Sequence, residues 1–330
     1  MKKVLFIFGI LLSIVAGGAV AAAQHYTGAV VNLINFDNQE GLSDVDVSKY
    51  NTVRNNAIIN ILLIGTDKDE DEQDSKTAAR RTDSIMIATL DKKHDKLKIS
   101  SIMRDCYVEI PGYGKNKINA AYRLGGIKLL YKTIASNFGI QCDGYCEVNF
   151  DAFINVVDAV GGVEATLTDS EAENLNDTNY IRRKKYRNVK KGTQILNGYQ
   201  ALGYCRIRHG KTRNGVTPAV YTADGKCDDY GRTERQRLVM QALLKKLKSM
   251  PSARWMEVLE TVMPSVTTDI KKKEIYSYVL TIVKMGTTKI NQFRVPVDGS
   301  FNNADTSVGS VLDLDLTRNK TELNKFIYNS

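Results

Sequence analysis

An uncharged stretch near the start of the chain, residues 4–23, constrains its fold and compartment more than any other segment. At about 1.5 Å per residue, a helix of this length spans about 30 Å, the thickness of one hydrocarbon core. Lys2 and Lys3 precede it and favour the cytoplasmic side of a bilayer. The pattern predicts a cytoplasmic tip and single-pass cell-membrane anchor over residues 1–23, with the C-terminal part extracellular. A cleaved signal peptide is the alternative, because small residues at 21–23 offer a cleavage site.

The charge of the chain narrows the class of partner. The 330 residues include 46 Lys and Arg against 37 Asp and Glu, a formal net charge of +9. A basic surface favours nucleic acid, an anionic membrane or a phosphorylated ligand. Because the anchor places most of the chain outside the cell, we expect no nucleic-acid partner. The phosphates of cell-surface lipids or polymers are the expected partners instead.

The five cysteines point to no metal centre or disulfide framework. An odd number allows at most two disulfides, and spacing does not determine the pairing. Cys142 and Cys146 have no matching second pair, so a zinc site is weakly supported. We expect buried thiols.

Strand and helix patterns alternate along the exterior part and predict an α/β fold with a mixed central sheet flanked by helices. Residues 58–65 form an apolar, β-branched run typical of a buried strand. Residues 204–208 also match a strand. Residues 233–248 have the apolar spacing of an amphipathic helix, whereas the polar, basic residues 169–191 predict a surface excursion.

The domain organisation follows from the same patterns. We expect a stalk or linker over residues 24–56 and one extracellular domain over residues 57–330. The chemistry-bearing motifs fall within 60–247. Helices and a strand are expected in the C-terminal part, 250–330.

Charged side chains stand at the ends of the predicted strands. Asp67 follows the first strand, Asp83 precedes the second, and Arg104 follows the third. In an α/β fold, charges at strand ends usually face one rim of the sheet, where ligands bind. We therefore expect these three residues to share a site.

A second group of polar residues occurs later in the chain. Arg206 and Arg208 are two apart, which places them on one face of the predicted strand. Arg232 and Gln236 are four apart on the predicted helix, near an N-terminus whose open backbone N–H groups suit phosphate. Crowded like charges repel one another unless an anion is bound, so this group favours an anionic ligand.

Together these residue types favour phosphoryl transfer. Arginine forks bind phosphate oxygens in pairs, and carboxylates beside phosphates are the usual ligands of Mg²⁺. Positioning and charge neutralisation provide most of the catalysis in such reactions. The sequence contains no P-loop, G-x-G-x-x-G, H-E-x-x-H or G-x-S-x-G motif, so nucleotide chemistry and Ser-His-Asp hydrolysis are poorly supported.

Seven sequence blocks also resemble a known family. They are NILLIGTD (60–67), RTDSIMIATL (81–90), SIMRDCYVEIPG (101–112), KINAAYRLGG (117–126), VDAVGGV (157–163), GYQALGYCRIR (198–208) and DYGRTERQR (229–237). In this order they are similar to the LytR-CpsA-Psr family of Gram-positive envelope proteins. The chain departs from that pattern at Met103, where the family usually has proline, and in a longer acidic insert between Asp67 and Asp83.

The resemblance implies a phosphotransferase that moves a glycopolymer from an undecaprenyl-pyrophosphate carrier onto a muramic acid hydroxyl of peptidoglycan. Teichoic acid, capsule and other wall glycans are the substrate classes of such proteins. It also implies a central sheet with flanking helices and an apolar pocket for the polyprenyl chain. Two alternatives use the same residues: a non-catalytic module that binds polyprenyl phosphate or anionic polymer, and a lipid pyrophosphohydrolase.

The resemblance further assigns catalytic roles. Asp67 and Asp83 would bind Mg²⁺, with Mn²⁺ as an alternative ion, and one of them would accept the proton of the acceptor hydroxyl. Arg104 would hold phosphate. The structural alternatives are strand-end caps for the two aspartates and an ion pair with Asp105 for Arg104.

The remaining site residues are expected to contact the pyrophosphate. They are Arg81, Lys117, Arg206, Arg208, Arg232 and Gln236. A solvated surface position is the alternative for Lys117, and a structural ion pair is the alternative for the neighbouring Arg235. The basic run over 182–187 suits anionic polymer or lipid headgroups, with a solvated charged surface as the alternative.

Overall fold

The computed structural model describes residue 32 and residues 34–37, 41–67, 81–285 and 290–328. The predicted membrane segment, 4–23, and the acidic insert over 68–80 lie outside these ranges. Within them, no helix combines the length and apolar character needed to cross a bilayer.

The described residues form thirteen strands and eight α-helices. The strands are β1 (Asn35–Phe36), β2 (Ile58–Asp67), β3 (Arg81–Asp91), β4 (Lys96–Ile102), β5 (Cys106–Ile110), β6 (Gly114–Lys117), β7 (Gly144–Asn149), β8 (Val163–Leu167), β9 (Gly192–Leu196), β10 (Val266–Thr268), β11 (Ile290–Val295), β12 (Phe301–Thr306) and β13 (Gly309–Leu314). The helices are α1 (Ile118–Phe138), α2 (Phe150–Ala159), α3 (Asp169–Asp177), α4 (Gly198–Arg206), α5 (Asp228–Ser249), α6 (Ser252–Val262), α7 (Lys272–Met285) and α8 (Leu316–Tyr328).

A seven-stranded mixed sheet forms the centre of the fold, with the strand order β1-β10-β7-β2-β3-β4-β11. β2 is antiparallel to β3 and parallel to β7, and β4 is antiparallel to β3 and parallel to β11. A four-stranded sheet, β12-β13-β5-β6, and the hairpin β8-β9 complete the strands. The expected α/β fold with a mixed central sheet is therefore confirmed.

Both faces of the central sheet are buried. Along β2, Ile61 and Leu63 face a core shared with α2, α4, α5 and α6, whereas Leu62 and Ile64 face a core shared with α1 and α8. We call these the α2-side core and the α1-side core. Because successive side chains of a strand point to opposite faces, a strand covered on both sides needs consecutive apolar residues. That requirement explains the uninterrupted run that predicted β2.

Part of the segment expected to be a stalk packs on the domain. β1 adds to the edge of the central sheet by pairing with β10. Leu42, Val45 and Val47 are buried in the α1-side core. This apolar spacing is short and irregular, so its burial could be found only from the tertiary structure.

Two local expectations are wrong. Residues 204–208 do not form a strand, because α4 continues to Arg206 after a capping box in which Asn197 and Gln200 bond each other's backbone N–H. The surface excursion at 169–191 contains α3, which begins with a second capping box between Thr168 and Glu171. Reciprocal caps of this kind start helices by satisfying open N–H groups.

A buried ion pair lies at the end of the sheet opposite Asp67. Lys98 Nζ donates to Asp91 Oδ2 and to the backbone oxygen of Ile327 in α8, each over 2.9 Å. His94 Nδ1 lies 2.9 Å from the same carboxylate oxygen. Burial raises the pKa of Asp91, but the hydrogen bonds from Lys98 and His94 outweigh burial, and the net pKa is lowered.

We expect acid to weaken this end of the domain. Since the pKa of Asp91 is lower in the folded chain than its ordinary value of 3.8, the ionised carboxylate contributes stability above that value. The contribution is lost as pH falls through the folded-state pKa. In urea unfolding from about pH 6 to about pH 2.5, the midpoints of the wild type and Asp91→Asn should differ most at the upper end and converge in acid. A difference that is constant with pH would contradict this role.

Candidate active site at the rim of the central sheet

The central strands bring the predicted strand-end residues to one rim of the sheet. Asp67, the last residue of β2, is paired in register with Arg81, the first residue of β3. β4 runs antiparallel to β3 and ends at Ile102, two residues before Arg104. For Asp67, Arg81 and Asp83 the structure describes the backbone alone. That backbone places them at the same end of the sheet as Arg104.

The register between β2 and β3 shifts beside Asp83. Gly65 pairs with Ser84 and Thr66 pairs with Thr82, so Asp83 has no pairing partner on β2. Extra residues in a strand redirect it locally and are over-represented next to active sites. The buried hydroxyl oxygens of Thr82 and Ser84, on either side of Asp83, have no hydrogen-bond partner within the described part of the chain. Such buried hydroxyls need a partner that the described residues do not supply, for example a water molecule.

Asp105 brings two predicted phosphate ligands together. Its Oδ2 lies 3.4 Å from Arg104 Nε, and its Oδ1 lies 3.3 Å from Lys117 Nζ. The three side chains are between 24% and 35% exposed, so these ion pairs add little to stability. Their effect is to hold two cations side by side at the rim while leaving both accessible.

Met103 stands where the family usually has proline, and this difference allows one additional hydrogen bond. Its backbone N–H donates to Val295 O of β11 over 2.9 Å. Proline has no N–H and could not make this bond. The bond continues the β4–β11 ladder to the residue before Arg104, so the substitution ties down the turn that carries the arginine.

The second group of predicted residues lies at the end of α4. Arg206 is the last residue of the helix, and Arg208 follows it after the buried Ile207. The expectation that the two arginines share one face of a strand is wrong, because the chain changes from helical to extended conformation between them. Gln236 Nε2 donates to Cys205 O over 3.0 Å, and Arg235 Nη1 donates to Ile207 O over 3.2 Å. α5 thus fixes the backbone that carries both arginines.

α5 itself differs from its predicted start. It begins at Asp228, four residues before Arg232, so Arg232 is inside the helix rather than at its open N-terminus. Arg232 and Gln236 are both buried. Gln236 Oε1 has no hydrogen-bond partner among the described residues, which leaves an acceptor beside α4.

Arg235 forms a structural ion pair, which was the alternative to a role in ligand binding. Its Nε lies 2.7 Å from Glu171 Oε1 of α3, and both side chains are 0% exposed. Nη2 donates to Val220 O over 2.8 Å. The arginine therefore joins α3, α5 and the loop before α5.

α2 connects the two groups. It follows β7 directly, and the last residue of β7, Asn149, pairs with Thr66 beside Asp67. α2 packs against β2 and β7 on one side and against α4 on the other. The rim residues and the α4–α5 residues are thus held on elements that share the α2-side core.

One carboxylate near this rim was not predicted from the sequence. Glu147 of β7 accepts hydrogen bonds from Thr66 Oγ1 over 2.8 Å and from Tyr122 OH over 2.9 Å. Through Glu147, these bonds join Tyr122 of α1 to Thr66 near the end of β2. An acidic residue within the short apolar strand YCEVNF was the available signal.

The structure describes all five cysteines but not the side chains of the two predicted metal ligands. None of the five cysteines, all of them in the described ranges, forms a disulfide. Burial raises the pKa of the Cys106 and Cys142 thiols, which keeps them protonated. Among the residues whose side chains the structure describes, no group of three or more His, Cys, Asp or Glu could hold a metal. The predicted ligands Asp67 and Asp83 are outside that set.

Relatives of known sequence share most of the chain. "Regulatory protein MsrR" of Staphylococcus aureus is 33% identical over 289 residues, 86% of this chain and 79% of that protein. "Polyisoprenyl-teichoic acid--peptidoglycan teichoic acid transferase TagU" of Bacillus cereus is 33% identical over 279 residues, 83% of this chain and 82% of that protein.

A solved structure shares the fold. The structure of TagT bound to LI-WTA is 25% identical, covers 82% of this chain and 91% of that chain, and superposes with a TM-score of 0.55. The sequence model of the LytR_cpsA_psr family matches residues 28–325, which includes the rim, α4 and α5. The resemblance of the seven sequence blocks thus extends over most of the chain, and the chain belongs to the LytR_cpsA_psr family.

Proposed function

We propose that this protein is a phosphotransferase that moves a glycopolymer from an undecaprenyl-pyrophosphate carrier onto a muramic acid hydroxyl of peptidoglycan. The observation that carries the proposal is the pair of cations, Arg104 and Lys117, held by Asp105 at the rim where β2 ends and β3 begins. The name of TagU, a teichoic acid transferase, and the ligand of TagT, LI-WTA, support the same substrate class.

The reaction requires one bond to form and one to break. The acceptor hydroxyl oxygen attacks the phosphorus that bears the polymer, and the bond from that phosphorus to the bridging oxygen breaks. The products are a polymer–peptidoglycan phosphodiester and undecaprenyl phosphate. The hydroxyl proton passes to the carboxylate of Asp67 or Asp83.

The basic residues would stabilise the charge that develops on the phosphates. Arg104 and Lys117 would bind oxygens from the rim, and Arg81 stands at the start of the neighbouring strand. Arg206, Arg208 and Arg232 would act from the α4–α5 side, and Gln236 holds the backbone of Cys205 beside Arg206. Such groups catalyse most strongly when they are fixed before the substrate arrives, and the bonds from α5 to Cys205 and Ile207 provide that fixation.

Asp67 and Asp83 fit a magnesium ion by the chemistry of their oxygens and by their placement. Mg²⁺ is usually held by one or two carboxylates and by phosphate, and the backbone sets these residues on paired strands within two positions of each other. When bound, the ion would neutralise phosphate charge; Mn²⁺ would supply the same chemistry.

The N-terminal segment 4–23 would place the site at the outer membrane surface. An anchor through the bilayer with the domain outside keeps the enzyme beside a lipid-linked donor. This single-pass arrangement is part of the proposal, as is the organisation into an anchor and one extracellular domain.

The test is a reaction of the full chain in detergent with a lipid-pyrophosphate glycan and peptidoglycan fragments. We expect a phosphodiester-linked product that forms only with acceptor present and that stops when EDTA removes divalent cations. Mass spectrometry identifies the product. Release of lipid phosphate without acceptor would instead identify a pyrophosphohydrolase, and binding without turnover a non-catalytic module.

A further inference from the structure

A cluster of cations lies beside the first half of α4, away from the residues assigned to the pyrophosphate. Residues 182–191 contain seven Lys and Arg and no acidic residue. Arg183, Lys184 and Lys185 are exposed. Across the described ranges, none of these three forms an ion pair with an acidic side chain. We call Arg182, Arg183, Lys184, Lys185 and Arg187 the basic platform.

The platform is fixed to the domain at both ends. Ile181 and Val189 are buried in the α2-side core. Asn176 Nδ2 donates to Val189 O over 2.8 Å, and Val189 N donates back to Asn176 Oδ1 over 3.1 Å. Arg187 Nε donates to Ile181 O over 2.8 Å, and Lys184–Tyr186 form a 3-10 turn. The backbone that carries the cations is therefore held by the fold.

Two stacked tyrosines support the cations. The rings of Tyr186 and Tyr199 stack with centroids 5.2 Å apart. The Arg183 guanidinium lies 4.7 Å from the Tyr199 centroid, and Lys185 Nζ lies 4.8 Å from the Tyr186 centroid. Each contact is a cation–π interaction. Neighbouring like charges repel one another, and an anion that binds between them relieves the repulsion.

α4 links the platform to the proposed active site. Tyr199 lies in its first turn and Arg206 is its last residue, which separates them by about 10 Å along the helix axis. Gln200 Nε2 donates to Tyr186 O over 3.1 Å and to Asn188 Oδ1 over 2.9 Å. The same short helix thus contacts the platform through Tyr199 and Gln200 and ends at Arg206.

We infer that the basic platform binds the phosphate-bearing repeats of an anionic glycopolymer while the pyrophosphate end of that polymer lies at Arg206. The inference rests on the proposed function and narrows its substrate to polymers with repeated negative charge. An anionic polymer suits the platform better than a membrane surface does, because α4 places Tyr199, which supports the platform, about 10 Å along its axis from Arg206. A polymer that leaves the site along α4 passes the platform.

Binding is measured first. The triple variant Arg183→Gln, Lys184→Gln, Lys185→Gln removes three exposed charges, and Lys92→Gln, Lys93→Gln, Lys325→Gln removes three exposed charges from the turn between β3 and β4 and from α8. The probes are a fluorescent glycerol-phosphate oligomer and vesicles of phosphatidylglycerol and phosphatidylcholine in equal parts. Since each exposed charge contributes a few-fold in affinity, we expect the platform variant to bind the oligomer about tenfold more weakly. The control variant should match the wild type.

Transfer kinetics separate the inference from the proposed function. With a lipid-linked donor that carries phosphate repeats, the platform variant should show a KM raised about tenfold and an unchanged kcat, because the cations bind the polymer and not the reacting phosphorus. With a lipid-pyrophosphate donor of a neutral disaccharide, KM should not change. If the wild type transfers glycan from neither donor, the proposed function is wrong. The oligomer measurement still shows whether the platform binds an anionic polymer.

Two results would overturn the inference. One is an oligomer affinity that is the same in the platform and control variants. The other is a loss of vesicle binding in the platform variant with full oligomer binding retained, which would assign the platform to the membrane surface.

Discussion

Alanine in place of Arg104 or Arg206 should lower kcat/KM for polymer transfer by about 10²–10³-fold, because removing one group that stabilises developing negative charge typically costs that much. Asp105 fixes Arg104 at the rim, and α5 fixes the backbone next to Arg206. The measurement is the rate at which phosphodiester-linked polymer forms on peptidoglycan fragments. Arg104→Lys should retain part of the rate, since lysine keeps the charge but loses the two-pronged contact.

Arg254→Ala is the matched control for this prediction. Arg254 forms an exposed ion pair with Glu257 within α6, and it has no place in the proposed site. Its transfer rate and that of the wild type should agree. If both Arg104→Ala and Arg206→Ala transfer polymer at the wild-type rate while remaining folded, the assigned site is wrong.

The largest effect on stability is expected at the Arg235–Glu171 pair. Arg235→Met leaves the carboxylate of Glu171 buried without its partner, and breaking a buried pair in this way costs about 3–5 kcal/mol. The substitution also removes the hydrogen bonds to Ile207 O and Val220 O. Urea unfolding of the domain should show the loss as a lower midpoint.

Two further variants identify the cause. Adding Glu171→Gln to Arg235→Met removes the buried charge and should recover part of the lost stability, whereas a general packing defect would not be relieved. Arg254→Ala breaks a pair whose side chains are 49% and 64% exposed, together with an exposed hydrogen bond to Ala159 O, and should cost much less than the buried pair. A similar small loss in Arg235→Met would contradict the assigned role of Arg235.

Much of the fold follows from local pattern. The apolar run of β2 and the strands on either side of the turn at 92–95 were predictable because burial on two faces demands consecutive apolar residues. The Gly125-Gly126 pair also made the break in α1 predictable. Both residues have non-helical backbone angles in the structure, and Gly126 has a φ of +63°. Each of these features depends on neighbours in sequence.

Other features were missed although the sequence carried a signal. The pattern Asn197-x-x-Gln200 before an apolar run marks a helix start, and it explains why Tyr204 lies in α4 rather than in a strand. The same reasoning applies to Thr168 and Glu171 at α3. At 204–208 the aromatic and β-branched residues suggested a strand, and at 169–191 the polar and basic composition suggested a surface excursion. In both cases the cap with its tertiary packing determined a helix.

By itself, the sequence determined which charged residues follow the central strands, the α/β class and the family resemblance. Only the tertiary structure decided that Asp105 is shared by Arg104 and Lys117, that Arg235 is buried with Glu171, and that the backbone of the basic run over 182–187 is anchored to the domain. The physical reason is sequence distance. Arg235 and Glu171 are 64 residues apart, so their pairing depends on how whole elements pack, and no local spacing contains that information.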